Sequence, residues 1–164
     1  RNHYQLSAKT GFQRSSPQRQ RGSPMQVKVD WQDNVHFVAN NNNGHTVAID
    51  GPPERGGQDR GSRPMELMLI GLGGCTAFDV VDILRKGRQQ VEGLSISIHA
   101  ERADTVPAVF EAIDIHFHIT GNALDPAKVQ RAIELSAQKY CSASIMLDRA
   151  GVVISHSFEL QESA

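Results

Sequence analysis

The sequence contains little cysteine, few aromatic residues and no long uninterrupted apolar segment. Two cysteines in 164 residues are too few for a disulfide scaffold, so each is either an inert core residue or a reactive thiol. A membrane-spanning helix needs about 18 consecutive apolar residues. The most apolar region, residues 65–84, is interrupted by three acidic residues and three glycines. No apolar run follows the basic residues near the N-terminus, so we expect a cytoplasmic protein with no membrane partner.

Charge is distributed unevenly along the chain. Residues 1–24 contain five basic residues and no acidic one, whereas the remainder has 12 basic and 18 acidic residues. An acidic body of this kind argues against a nucleic-acid partner. Because residues 1–24 also lack apolar periodicity and precede Met25, we interpret them as a non-native or disordered basic leader. We expect residues 25–164 to form a single domain.

Hydrophobic patterning from residue 25 onward predicts an α+β fold. Residues 26–49 alternate as three strands of a β-meander, and the polar residues 51–62 are predicted to be a mobile surface loop. Two later strands each have one apolar face, which is typical of an antiparallel sheet covered on one side. After the loop we predict a helix over Pro64–Lys86, strands near 94–101 and 112–119, a helix after Asn122 or Asp125, a short helix over 141–150 and a final strand over 152–160. The order βββ-α-ββ-αα-β indicates α+β architecture rather than an alternating parallel fold.

The predicted Pro64–Lys86 helix is apolar nearly all the way round, which is typical of a helix buried on most sides. Each of its glycines, Gly71, Gly73 and Gly74, costs about 1 kcal/mol of helix propensity. We therefore expect a requirement for them, such as the close approach of another backbone or of a small substrate.

Each cysteine taken alone could be either an inert core residue or a reactive thiol. Cys75 lies in the apolar helix, where a cysteine is often a small core hydrophobe. Cys141 begins the short predicted helix, and a helix N-terminus stabilises a thiolate.

Two motifs around the cysteines resemble those of the OsmC/Ohr family (osmotically induced protein C and organic hydroperoxide resistance protein). Pro-Met-Glu-Leu at 64–67 followed by Gly-Gly-Cys at 73–75 resembles the family's Pro-Glu-x-Leu…Cys signature, with the same eleven-residue step from proline to cysteine. Tyr-Cys-Ser-Ala-Ser at 140–144 resembles the second motif, in which serine follows cysteine by three residues. Within the family the chain most resembles the YhfA-like branch, which shares Pro-Met-Glu and an aspartate four residues after the first cysteine.

The resemblance implies an intertwined homodimer with a long buried central helix and an active site at each subunit boundary. It implies that Cys75 attacks a small hydrophobic organic hydroperoxide and that Cys141 resolves the sulfenic acid as a disulfide. An external dithiol of the lipoyl type would reduce the disulfide, and no bound cofactor is implied. The expected function is thiol-dependent hydroperoxide reduction in oxidative stress defence.

Three features depart from the family's peroxidase pattern. Met65 stands where peroxidase members carry a catalytic glutamate, and Glu66 is one residue late, which turns its side chain by about 100°. Asp79 is one helical turn after Cys75, where an ionised carboxylate raises a thiol pKa. Residues 26–50 contain no arginine, so an activating arginine would have to come from the following loop, with these candidates: Arg55, Arg60 and Arg63.

Two other functions remain open on the sequence alone. The first is a non-peroxidase relative that binds a small hydrophobic or thiol-reactive ligand in the dimer cleft. The second is a structural dimer with two inert cysteines.

The histidines raise the question of a metal site. His116 and His118 share a predicted strand face with His99 nearby, but paired histidines on such a face are typically solvated. His156 on the last strand is interpreted as a core histidine with satisfied hydrogen bonds. No Cys-x-x-Cys or His-Glu-x-x-His spacing occurs, so no metal site is predicted.

Overall fold

The computed structural model describes residues 25–163. The predicted leader, residues 1–24, lies outside the described residues. The elements follow the predicted order, with two short additions, a 3₁₀ turn (Pro53–Arg55) and a π-helical turn (Ser136–Tyr140). The strands and helices are β1 (Val27–Asp33), β2 (His36–Asn41), β3 (Thr46–Ile49), α1 (Pro64–Lys86), β4 (Gln90–Arg102), β5 (Phe110–Asn122), α2 (Pro126–Leu135), α3 (Ser142–Arg149) and β6 (Val153–Glu162). The predicted α+β class is confirmed.

The first sheet is the predicted antiparallel meander β1-β2-β3. The turn between β2 and β3 is stabilised by Asn41, whose side-chain oxygen accepts the N–H groups of Asn43 and His45. Much of β1 is uncovered, since Val27, Val29 and Trp31 are exposed. This small sheet therefore has apolar surface that one chain alone does not bury.

The loop that follows β3 is organised around one buried carboxylate. Asp50 is only 1% exposed, and its side chain accepts the backbone N–H groups of Gly51, Gln58 and Arg60. These bonds gather residues 51–60 into a compact turn, whereas the sequence predicted a mobile loop. The pattern of apolar residues could not reveal this, because the organising group is a single polar side chain.

The second sheet has the strand order β4-β5-β6 and supplies most of the core. β4 and β5 are antiparallel, as their alternation predicts, and β6 lies parallel to β5. The inward face of β5 is almost completely buried. Its core residues are Ile113, Ile115, Phe117 and Ile119.

α1 packs against β4 of this sheet and against α2 and α3. It begins at Pro64, where the Glu66 side chain accepts the N–H of Arg63 at 2.9 Å, and it ends before Gly87. Its length and apolar composition would also allow a membrane span, a property that core helices of globular domains share. Because α1 contacts β4, α2 and α3, it is the core helix of this fold.

Burial of α1 in the single chain is one-sided, contrary to the predicted burial on most sides. The fully buried ridge consists of Leu72, Thr76, Val80 and Leu84. On another face Ile70 is 59% and Phe78 74% exposed. The prediction relied on composition, which cannot separate an apolar face that packs within the chain from one left for another surface.

The two short helices are joined by the unpredicted π-helical turn. The sequence predicted that α2 begins after Asn122 or Asp125, and in the structure Asp125 caps the helix by accepting the N–H of Ala127 at 2.9 Å. At the end of the π-helical turn, the N–H of Cys141 donates to the carbonyl of Ser136 at 2.8 Å. This turn redirects the chain and makes Cys141 the N-cap residue of α3.

Candidate functional site

The structure brings both cysteines and Asp79 into one cluster. The sulfurs of Cys75 and Cys141 and a carboxylate oxygen of Asp79 all lie within 4.8 Å of one another. Cys75 and Asp79 are one turn apart on α1, and Cys141 approaches them from the N-terminus of α3. Both cysteines are free thiols. Cys75 and Cys141, although remote in sequence, are thus close enough for their sulfurs to react with each other after a small movement.

Cys141 is the enclosed member of the pair. Its side chain is fully buried, and its sulfur accepts the N–H of Ser144 at 3.4 Å as the cap of α3. The hydroxyl of Thr76, also fully buried, lies 3.3 Å from the same sulfur. These contacts fix the orientation of the Cys141 side chain. Because Cys141 is buried, a bulky molecule in solvent cannot reach its sulfur.

Cys75 is the more accessible member, since it is only partly buried. Burial is the main cause that raises the pKa of its thiol, and the proximity of Cys141 and the charge of Asp79 raise it further. The backbone N–H of Ala143, in the first turn of α3, opposes these effects and lowers the pKa. The sequence prediction that Asp79 disfavours the thiolate therefore agrees with its position.

Asp79 is itself held in place by the π-helical turn. The hydroxyl of Ser136, which is fully buried, donates to the Asp79 carboxylate at 3.3 Å. The same residue supplies the carbonyl that accepts the N–H of Cys141. Ser136 thus positions two of the three members of the cluster.

The supporting residues proposed from the loop lie elsewhere within the chain. Arg60 forms an ion pair with Asp33 and approaches the buried Asp50 at 3.7 Å. Arg63 is twelve residues before Cys75, a rise of about 18 Å along a helix. Arg55, Arg63 and Glu66 line a cleft of about 670 Å³ between the first sheet and the start of α1. Among the residues described, no arginine is one of the groups that set the pKa of Cys75. The expectation of an activating arginine from this loop also allows it to approach Cys75 of a second subunit, and this stays a prediction.

The second sheet carries four histidines, of which His99 is exposed, His116 and His118 are partly exposed, and His156 has a buried ring nitrogen. His118 contacts Glu159 and Gln161, and the Glu159 side chain raises the pKa of His118. His116 pairs with the Ser157 hydroxyl at 2.8 Å. His156 stacks on Phe117, and burial lowers its pKa. Its Nε2 finds no partner within residues 25–163, so the expected satisfied core histidine is wrong in this respect.

The helical glycines differ in what they contact. A Cβ at Gly73 would come 3.0 Å from Cδ1 of Ile98, so this glycine allows β4 to approach α1 closely. Within the described chain, a Cβ at Gly71 or Gly74 would meet nothing within 4 Å. Both lie beside the exposed Ile70 and Phe78, on a face that borders Cys75. Within the described chain, the predicted close approach of another segment to the helix is therefore seen at Gly73.

Comparison with known proteins identifies the family. A family model described as OsmC-like protein matches residues 56–157 and thus includes both cysteines. The chain belongs to the OsmC-like family. Protein YhfA of Escherichia coli strain K12, a relative in this family, is 42% identical over 136 residues, which cover 83% of this chain and 98% of YhfA. The predicted resemblance is confirmed.

Solved structures agree with this assignment to the OsmC-like family. A hypothetical protein from Aquifex aeolicus VF5 superposes with a TM-score of 0.75 at 25% identity and covers 87% of this chain and 100% of that protein. An organic hydroperoxide resistance protein OsmC from Legionella pneumophila gives a TM-score of 0.65 at 19% identity, covering 84% of this chain and 97% of that one. The second similarity shows the fold alone.

Sequence reasoning missed three groups that build this OsmC-like site. Thr76 lies in the apolar α1, and Ser136 lies on the apolar stripe that continues from α2, so the pattern gives no sign of a polar role for either residue. The third group is the backbone N–H of Ala143, which any residue type would supply. Thr76 follows Cys75 in the sequence and lies about 100° round the helix from it, and only packing reveals that Thr76 contacts Cys141.

Proposed function

We propose that this protein reduces organic hydroperoxides by a two-cysteine cycle in which Cys75 meets the oxidant and Cys141 resolves it. The observation that carries the proposal is the approach of the two sulfurs to within 4.8 Å. Their unequal burial supports the division of roles, because an attacking thiol needs access and a resolving thiol does not. The membership of the chain in the OsmC-like family, some of whose structural neighbours are named organic hydroperoxide resistance proteins, supports the reaction class.

In the first step the thiolate of Cys75 attacks one oxygen of the O–O bond. The S–O bond forms, the O–O bond breaks, and the alkoxide leaves and takes a proton to become an alcohol. Sulfur is oxidised to a sulfenic acid while the hydroperoxide is reduced. The backbone N–H of Ala143 lowers the pKa of this thiol and so favours the reactive thiolate.

In the second step the sulfur of Cys141 attacks the Cys75 sulfenic acid, which forms the disulfide and releases water. The short distance between the sulfurs favours this step over further oxidation of Cys75. An external dithiol, for which a lipoyl-type compound is the expected class, then exchanges with the disulfide and restores both thiols. Such recycling suits a reducing cytoplasm, where we place the protein.

We also propose that the active form is a homodimer in which α1 packs against a second copy. The exposed apolar face formed by Ile70, Gly71, Gly74 and Phe78 supports this association, because isolated large apolar patches on monomers are uncommon. The open glycines on it would let another helix approach closely. A hydrophobic hydroperoxide would reach Cys75 along this apolar border.

One observation favours a second function, the binding of a small hydrophobic or thiol-reactive ligand without turnover. Burial and Asp79 raise the pKa of Cys75, and no nearby arginine within the described chain offsets them. A less ionised thiol reacts more slowly with peroxide. The sulfur distance favours the redox cycle over this alternative, since a binding protein has no need of a resolving thiol.

The kinetic experiment uses cumene hydroperoxide with dihydrolipoamide as the reductant. We expect wild type to turn over repeatedly, Cys75→Ser to be inactive, and Cys141→Ser to perform one oxidation and then stop. Thr76→Ser keeps the hydroxyl beside Cys141 and is the matched control, expected to retain turnover. Equal, slow peroxide consumption by wild type and Cys75→Ser would overturn the peroxidase proposal and favour the binding function.

The association is tested separately by sedimentation equilibrium. We expect wild type to sediment as a dimer and Phe78→Lys to shift toward monomer, because the charge would be buried against an apolar surface. Val106→Lys introduces the same charge at another exposed apolar residue and should leave the dimer intact. A wild type that sediments as a monomer of 18.0 kDa at micromolar concentration would contradict the dimer.

A further inference from the structure

We propose that the reduced protein binds a thiophilic divalent cation, of which Zn²⁺ is the expected example, through Cys75, Asp79 and Cys141. The starting observation is that the two sulfurs and a carboxylate oxygen all lie within 4.8 Å of one another. This cation site is a property separate from peroxide reduction and does not depend on it.

The three ligand atoms lie near enough to one another that a small movement would bring them to the separations of a tetrahedral zinc centre. With metal bonds of about 2.3 Å to sulfur and 2.1 Å to oxygen, tetrahedral ligand atoms stand about 3.5 to 3.8 Å apart. From separations of up to 4.8 Å, the three atoms need to converge by at most about 1.3 Å. Rotation of the side chains on α1 supplies such a movement, because Cys75 and Asp79 project from one helix at a spacing of one turn.

The chemistry of the donors selects the class of metal. Two thiolates with one carboxylate suit zinc and similar thiophilic ions, whereas Mg²⁺ and Ca²⁺ prefer sites made of oxygen ligands. Three anionic ligands crowded together repel one another, and a divalent cation removes that repulsion. Three protein ligands also leave one coordination position open, as in catalytic rather than structural zinc sites.

A surrounding set of hydrogen bonds distinguishes this cluster from a chance grouping of ligands. The buried hydroxyl of Ser136 donates to one Asp79 oxygen and so leaves the other carboxylate oxygen free to bind metal. The Ser144 N–H and the Thr76 hydroxyl orient the sulfur of Cys141. Zinc ligands in proteins are commonly fixed by hydrogen bonds of this kind.

Asp79 acquires a role in this site that the peroxide reaction does not give it. For attack on a peroxide its charge beside Cys75 is unfavourable. For cation binding the same charge is the third ligand. The sequence could not reveal the site, because Cys75 and Cys141 are far apart in the chain and only the packing of α3 against α1 joins them.

Oxidation to the disulfide would release the metal. With diamide as the oxidant, the Cys75–Cys141 S–S bond forms and two electrons pass to the N=N bond of diamide. That bond takes up two protons and becomes a hydrazine, and the cation leaves because both thiolate ligands are lost. Metal occupancy is thereby a reporter of the thiol redox state.

The experiment titrates the reduced, metal-free protein with Co²⁺ and, separately, with Zn²⁺ against a chromophoric chelator. We expect one metal per chain and a thiolate-to-cobalt charge-transfer band in wild type, lost in Cys75→Ser and in Cys141→Ser. The band is measured on the unaltered protein, so the test does not depend on any variant folding. Absence of the band, or the same zinc binding in both cysteine variants, would overturn the proposal.

Carboxylate variants test the third ligand. Ser136→Ala should weaken zinc binding about tenfold, as expected for an outer-shell partner, and Asp79→Asn should weaken it more. Asp82→Asn removes the same charge from the same helix, at a residue paired with Lys86, and should leave the affinity unchanged. Equal affinities of Asp79→Asn and Asp82→Asn would show that Asp79 is not a ligand and overturn the three-ligand site. Diamide should release the bound zinc, and retention of zinc by the oxidised protein would contradict its binding to both thiolates.

Discussion

Oxidation of the Cys75–Cys141 pair should make the folded state substantially more stable. The disulfide would close a loop of about 67 residues, and the loss of chain entropy in the unfolded state then corresponds to about 4 kcal/mol at 25 °C. A disulfide has an S–S length of about 2.0 Å, so sulfurs within 4.8 Å must approach by up to about 2.8 Å. Rotation of the Cys75 side chain and a small shift of the α3 N-terminus would bring the sulfurs together. Because these movements are small, the strain in the folded state should offset little of the stabilisation that comes from the lost chain entropy.

For a folded unit of about 140 residues, 1 kcal/mol corresponds to roughly 3 °C in Tm, so the oxidised protein should melt about 12 °C above the reduced one. The assay compares thermal unfolding by circular dichroism after treatment with diamide or with a reductant. Cys141→Ser, treated in the same way, should show no difference. An unchanged or lower Tm in oxidised wild type would refute the inference that the native fold accommodates the bond.

Three further predictions concern the site, the loop and the core. Asp79→Asn removes a charge that raises the pKa of Cys75, so iodoacetamide should alkylate Cys75 faster at pH 8, and an unchanged rate would contradict that assignment. Backbone N–H donors lower the pKa of Asp50 below its ordinary value of 3.8, so its contribution to stability is complete above about pH 4 and is lost as pH falls through the folded-state pKa. Asp50→Asn should therefore flatten the acid side of the pH–stability profile measured by urea unfolding, and an unaltered profile would contradict this. Phe117→Ala should lower the free energy of unfolding by about 3 to 5 kcal/mol in the same assay, because the ring is fully buried, and a loss below about 1 kcal/mol would contradict its central place.

The elements of the fold were predictable where local signals are strong. Pro64 and Gly87 bracket α1, and the predicted bounds agree with the structure because both residues act on the backbone directly. Alternation along β4 and β5 likewise predicted strands with one buried face. The parallel placement of β6 beside β5 carries no such signal, since alternation is the same in parallel and antiparallel partners.

The site was predictable only in part, because it depends on contacts between distant segments. The motifs indicated Cys75 and Cys141, and the helical spacing put Asp79 beside Cys75. The contacts of Ser136 and Thr76 depend on the π-helical turn and on the packing of α3, which no local pattern describes. Arg60 was a reasonable candidate by position in the chain, but it is held by the buried Asp50 of its own loop and by Asp33 at the end of β1.

The two-cysteine cycle is tested most directly when the reduced protein is treated with one equivalent of cumene hydroperoxide and its thiols are mapped by mass spectrometry without reductant. The cycle predicts loss of both free thiols and a single crosslinked peptide that joins Cys75 to Cys141. Cys141→Ser should instead carry one added oxygen on Cys75. Oxidation that leaves Cys75 a free thiol, or disulfides that never join these two cysteines, would contradict the two-cysteine cycle.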